Sequence, residues 1–318
     1  MTTQVCRNRI VRDLPSSTYH GTPNTWSSSQ LKKILEDVEV FKRKYIDKTE
    51  PKEHISAFDV GTYFHTAILE PHKLDEECAV WAGRRSGNEW KAFAELHKDK
   101  AILTETERAK IAETIAVVKE SAECNKYLKG YEAEVSAFVD IYVMDEEVYT
   151  ISNSNEVYIL NLDGWELSEV DPDMLKEFGV VFETKSRSDA IHIVDRVISD
   201  LKTTSGNTKD AQEMRQKVSG LNYDLSAALY LDVFTAAVGC YSDPFKTFIW
   251  IFASKDQNTA KPWEATQENI RVGRAKWRKA IKMMAKYKDA NWVVKEETGY
   301  LSPNTWELSW ISEWKVKV

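Results

Sequence analysis

Apolar positions in the first third of the chain recur with the spacing of amphipathic helices. Leu31, Ile34, Leu35, Val38, Phe41 and Tyr45 follow a 3.6-residue period behind Ser27, Ser28 and Ser29, which predicts a serine-capped helix over 28–45. A second helix is predicted over 57–70, stopped by Pro71, and a third over 104–128, opened by Thr104 and Glu107 in capping-box spacing. The pattern then changes. Residues 134–143, 148–151, 157–160 and 180–183 are rich in β-branched and aromatic side chains and are separated by turn-forming Asn, Asp, Ser and Gly, so they predict strands. Another strand is expected over 191–201, running into DLKTT. Helical spacing returns at 209–218 and 223–237, followed by a buried strand at 246–253 and a helix over 271–288. Helices, a block of mostly antiparallel strands, then helix–strand–helix predict an α/β fold, a mixed central sheet flanked by helices. No linker composition interrupts it, so one domain over 1–318 is expected, with an inserted β-rich region at 141–178.

Composition supports a packed chain. Of 318 residues 42% are apolar, and 11 Trp, 13 Tyr and 11 Phe are enough for a sizeable core, which excludes overall disorder. The longest nearly apolar run, 227–241, contains Asp232 and falls short of the about 20 residues a spanning helix needs, so no membrane association is expected. The N-terminal stretch has scattered charges and no apolar core of a secretory signal, and a cytoplasmic protein is expected. Cys6, Cys78, Cys124 and Cys240 are too widely separated for one loop to present two thiolates to a metal, and read as free thiols in a reducing compartment.

Charge changes the picture through its distribution. The net charge is −7, yet residues 130–174 hold 12 Asp or Glu without a Lys, Arg or His, leaving the rest of the chain at +5. Residues 271–288 carry eight Lys or Arg and no acid. There Trp277, Ala280, Ile281, Met284 and Tyr287 form one buried stripe, with Arg271, Arg274, Arg278 and Lys282 on other parts of the surface. That surface reads either as a solvated helix face or as one that contacts phosphates.

Candidate chemistry concentrates in 185–204. Asp189 and Asp200 stand at either end of an expected hairpin, and Lys202 follows Asp200 at i+2, on the same face of a strand. Carboxylate oxygens hold a hard divalent cation, and a nearby ammonium steadies developing negative charge, as phosphodiester hydrolysis requires. Taken alone, D-x-K on a strand is equally explained by surface charge alternation.

Four blocks add to it: WSSSQLKKIL at 26–35, GTYFHTAILEP at 61–71, YEAEVSAF at 131–138, and KSRSD followed by ISDLKTT at 185–204. Together they resemble the RecE exonuclease family, related to lambda exonuclease within the PD-(D/E)XK nucleases. ENIRVGRAKWRKAI and Trp292 also resemble that family's C-terminal portion, so the likeness spans roughly 18–295. The resemblance implies that Asp189 and Asp200, with the Leu201 carbonyl, ligate Mg2+ (Mn2+ being tolerated) and that Lys202 is the catalytic lysine. It implies that Glu134 and His65 belong to the metal site and that Tyr230 acts beside it. Ser29 would meet a DNA 5′-phosphate at a helix N-terminus, where unpaired N–H groups favour an anion; N-capping explains the same serine. Arg84 and Arg85 would line a DNA path, or simply a polar loop. The implied partners are linear double-stranded DNA, a RecT- or Beta-like single-strand annealing protein, and further copies of the chain in a ring-shaped trimer or tetramer, in a phage or prophage setting.

The sequence departs from that pattern in three places. Ser188 replaces a proline before Asp189. Ser226 replaces a glutamine, one helical turn before Tyr230, where it can still share a face with it. The acidic insertion lengthens the path from Glu134 to Asp189; it is expected to lie away from the DNA path, the rival idea being that it competes with DNA for the basic helix. The alternatives to an active exonuclease are a catalytically inactive DNA-end-binding module marked by Ser226, and another PD-(D/E)XK nuclease, whose iron–sulfur form the scattered cysteines disfavour.

Overall fold

The computed structural model describes residues 8–50 and 56–293. Cys6 lies outside them. Twelve strands form: β1 Arg9–Val11, β2 Thr25–Trp26, β3 Cys78–Trp81, β4 Ala101–Thr104, β5 Glu132–Met144, β6 Glu147–Ile151, β7 Val157–Leu160, β8 Trp165–Leu167, β9 Val180–His192, β10 Val197–Thr204, β11 Thr247–Ser254 and β12 Thr259–Glu264. Ten of them make one mixed sheet in the order β12-β11-β10-β9-β5-β6-β7-β8, with β1 along β5 and β2 along β9. Pairing is antiparallel except at β10–β11 and β2–β9, and β3–β4 is a separate parallel pair. The expected mixed sheet with flanking helices is therefore the observed architecture.

β11 shows why the sheet needs helices on both sides. Phe248, Trp250 and Phe252 point into one core, while the alternate Ile249, Ile251 and Ala253 point into another, so both faces of the strand must be covered. The first core is filled by the Tyr223–Val238 helix, most of whose residues are buried, with the Ser28–Glu36 and Gln267–Asp289 helices packed around it. On the other face the Ser56–Leu69 and Glu105–Glu120 helices bring Phe64, Ile111, Ile115 and Val118 against Leu201 and Ile249. Gly273 lets two helices approach closely, since a Cβ there would stand 2.1 Å from the Asp224 carbonyl oxygen.

Several boundaries differ from expectation for local reasons. The 28–45 helix stops at Glu36 because Asp37 is extended, and its carboxylate accepts the Val40 N–H to start a short new turn over Val38–Phe41. The 104–128 helix opens with the expected Thr104–Glu107 box but ends at Glu120, where Ser121 caps Ala122–Asn125. The 191–201 strand is two strands: β9 ends at His192, and the chain reverses through a turn in which Arg196 has φ +59°. Weak periodicity hid the β3–β4 pair, the Gly87–Leu96 helix and β12. No described helix is long and apolar enough to cross a membrane, and Cys78, Cys124 and Cys240 are free thiols.

The acidic insertion continues the sheet as the β6–β7–β8 meander, with the Pro172–Phe178 helix contributing Leu175 to a small core of its own with Tyr142, Ile151 and Val157. It lies against the basic helix. Glu147 pairs with Arg278 at 2.7 Å, Asp163 with Arg271 at 3.3 Å, and the Glu146 carbonyl accepts from Lys282. Arg274, expected at the surface, is instead buried. Its guanidinium forks onto Asp232, which also accepts the Trp277 indole N–H, and one nitrogen reaches the Leu162 carbonyl. Removing one partner of such a pair strands a buried charge. Asp232→Ala is therefore expected to cost about 3–5 kcal/mol in a denaturant titration, far more than breaking the exposed Lys98–Glu95 pair.

Candidate active site

The pairing register places three carboxylates in one row. On β5 and β9 the pairs Ala133–Ala190 and Val135–Ser188 flank Glu134 and Asp189, which stand opposite one another. β9 and β10 pair up to Ala190–Ser199, so the next position along sets Asp189 against Asp200. The two strands separate there, and the Asp189 carboxylate accepts the Leu201 N–H at 2.6 Å. Leu201 thus meets the site through its N–H. Glu134 has φ +51°, in the left-handed region that a non-glycine residue seldom occupies, a local strain at the β5 end of the acidic row.

Side chains from neighbouring elements complete the row. His65, on the Ser56–Leu69 helix, puts Nδ1 3.4 Å from Asp189 Oδ2. His65, Glu134 and Asp189 each offer a ligand atom, all within 4.8 Å of one another, a nitrogen and two carboxylate oxygens that can hold a divalent cation. Asp200 is turned to Lys202, whose Nζ lies 2.7 Å from Oδ2. Arg187 stands 3.8 Å from Glu134 and is itself fixed by the Ser136 hydroxyl, the Leu14 carbonyl and the Tyr19 ring.

Electrostatics separates the carboxylates. Burial, with Asp189 alongside, pushes Glu134 up to about 8, against the pull of His65 and Arg187. Burial works on Asp189 too, but His65, Lys202 and the Leu201 N–H outweigh it and hold that carboxyl below its ordinary value. Asp200 is raised by burial and by Asp189 despite Lys202. Burial opposes charge on Lys202 and His65, yet Asp200 and Asp189 prevail at the lysine and Asp189 at the histidine, so both are raised. Glu134 and Asp200 are thus both raised while Asp189 is lowered, and Arg187, at 3.8 Å, only partly offsets the rise at Glu134.

His65, Glu134 and Asp189 line a cleft of about 510 Å3, with Tyr19, Arg187 and Tyr230 also on its walls. Burial holds the Tyr230 hydroxyl protonated. Ser226 is half-buried on the same helix, one turn before Tyr230. Ser29 is exposed at the start of its helix, its hydroxyl 3.0 Å from that of the capping Ser27. Arg84 and Arg85 stand apart from the row. Arg85 is bound to Glu107 and the Ile102 carbonyl, and the Arg84 carbonyl accepts the Trp81 indole N–H. Sequence reasoning missed Lys32 and Tyr223 beside Lys202, where both lysines lie over the Tyr223 ring. Helical spacing carried a signal for them, since Lys32 is one turn from Ser28 and Tyr223 two turns from Tyr230.

A row of acids on adjacent strands, a D-x-K strand and a helix histidine thus meet on one mixed sheet. Comparisons with known proteins bear on the fold. A family model described as a PDDEXK-like domain of unknown function, DUF3799, matches residues 27–148, a span that holds His65 and Glu134. A crystal structure of a candidate exonuclease from Eubacterium rectale is similar over 97% of this chain and 100% of its own, at 13% identity and a TM-score of 0.55, a likeness of fold. No curated protein matches the sequence.

A cation on these ligands requires an ionised Glu134 and a neutral His65. Binding of Mn2+ at neutral pH is therefore expected to release more than one proton, from Glu134 and in part from His65, with affinity rising as pH increases through about 8. Calorimetry in buffers of different ionisation enthalpy measures it, and Glu134→Gln should abolish most of the release.

Proposed function

We propose that this protein is a Mg2+-dependent exodeoxyribonuclease that resects linear double-stranded DNA. By its likeness to the RecE family it runs 5′ to 3′ and leaves 3′ single-stranded tails for a RecT- or Beta-like annealing protein, in the cytoplasm of a bacterial host of phage or prophage origin. The observation that carries the reading is the register that sets Glu134, Asp189 and Asp200 side by side, with Lys202 on the last of the three strands and His65 above the second.

The donor set fits a divalent cation on physical grounds, because buried neighbouring carboxylates repel one another and a shared cation relieves that repulsion. His65, Glu134 and Asp189 would hold such an ion, which would supply charge neutralisation at the phosphate and acidify water. The chain's own residues do the rest. Lys202, kept as an ammonium by Asp200 and Asp189, faces the charge that develops on the phosphoryl oxygens. Tyr230 keeps its proton and donates from the cleft wall. The imidazole in the donor set suits Mn2+ at least as well as Mg2+.

DNA does not need the basic helix in this reading. Arg271, Arg274, Lys276, Arg278 and Lys282 are each engaged by acids or carbonyls of the same chain. A ring-shaped trimer or tetramer would let a chain of net charge −7 keep its acidic surface outward while the substrate runs along the inner cations.

The test is nucleotide release from a 5′-phosphorylated linear duplex. Release is expected with Mg2+, or with less Mn2+, none with EDTA, and a loss of roughly 100-fold or more in Asp200→Ala. Wild-type protein that binds duplex ends yet releases nothing with either metal would overturn the enzyme reading in favour of an end-binding module, with Ser226 in place of glutamine as its mark.

A further inference from the structure

The Ser28–Glu36 and Tyr223–Val238 helices lie side by side beside the acidic row. On the first of these helices Lys32, one turn after Ser28, reaches Tyr223 on the second, with Nζ 5.1 Å from the ring centroid. Lys202 Nζ is 5.4 Å from the same centroid. Two ammonium groups thus converge on one aromatic ring at the end of the site away from His65.

Lys32 differs from the other lysines around it. The carboxylates that act on it are Asp200, Asp224 and Glu36. Each is engaged by a different lysine: Asp200 by Lys202 at 2.7 Å, Asp224 by Lys276 at 2.7 Å, and Glu36 by Lys33 at 2.6 Å. Asp224 also accepts its neighbour's backbone N–H. Among the described residues Lys32 therefore has no ion pair of its own. Half-buried and next to a second ammonium, it is held where burial and Lys202 pull it down to about 8. Such a placement destabilises the free protein, and a bound anion reverses the effect.

We propose that Lys32 and Tyr223 form a phosphate subsite beside Lys202, which takes the phosphodiester adjacent to the one under attack. The ammonium meets the non-bridging oxygens, and the Tyr223 hydroxyl, held protonated by burial, can donate to the same group. The subsite rests on the nuclease reading for the identity of its ligand, a nucleic-acid backbone, but its binding is measurable without cleavage.

The experiment uses the full chain and a 5′-phosphorylated duplex in EDTA, with affinity followed by fluorescence anisotropy across a salt series. Lys32→Met is expected to weaken binding roughly tenfold and to reduce the slope of log affinity against log salt by about one. Lys32→Arg should recover most of the affinity, Lys33→Met should bind as wild type, and Lys32→Met should melt no lower than wild type. Unchanged affinity and slope in Lys32→Met overturn the proposal, as does a wild type that binds no duplex. A lowered melting temperature with lost binding that Lys32→Arg does not restore gives Lys32 a structural role and overturns it too. Wild-type binding without metal-dependent cleavage defeats the nuclease reading, while the Lys32→Met comparison still decides the subsite.

Discussion

Glu134, Asp189 and Asp200 occupy facing positions on three neighbouring strands, and the site depends on that constraint. Strands in a sheet lie about 5 Å apart, where two carboxylates repel by roughly 3 kcal/mol at an effective dielectric constant of 20. Each surrounding feature answers that repulsion. Lys202 folds back onto Asp200, His65 approaches Asp189 from a helix on the other face, and the Leu201 N–H turns into the same carboxylate where the strands part. What these three leave unanswered raises Glu134, through burial and Asp189, to about 8. The row is thus a set of acids held together by the fold and completed by a cation, and the strained backbone of Glu134 is consistent with a position chosen for chemistry rather than for sheet stability.

Much of this was legible along the chain, for reasons that can be named. The apolar period survives in Gln267–Asp289 because that helix buries one continuous stripe, and Tyr223–Val238 reads as an apolar run because it is buried nearly all round. Capping chemistry placed the Thr104 start to the residue, since a side chain and a backbone N–H three residues apart decide it. Asp189, Asp200 and Lys202 could be linked because i+2 spacing and a hairpin are local. The approach of His65 and Glu134 to that group is not local, and the family likeness supplied it where periodicity could not. The breaks at Asp37 and Ser121 were hidden, because a side chain that caps a new turn looks like any polar residue on a helix face. From the sequence alone Arg85 stays open between a DNA path and a polar loop, because its partner Glu107, a capping-box residue of the next long helix, lies 22 residues away.

The two charge blocks were visible in the sequence as opposites, and the structure shows them satisfying one another. Acids of the insertion meet the basic helix at Glu147 and Asp163, while Asp232 and Asp224, on the helix beneath, take Arg274 and Lys276. A cation already paired gains little by moving to a phosphate, because the acid it leaves is then unpaired. Attraction for a polyanion must therefore come from ammonium groups whose neighbouring carboxylates are committed elsewhere. Lys202 fails that test in part, since Asp200 holds it. Lys32 meets it, because all three of its nearby acids are claimed by other lysines. In a chain of negative net charge, what guides a backbone phosphate is then the local arithmetic of pairing around the acidic row, and the count of basic residues along a helix is a poor guide to where that phosphate goes.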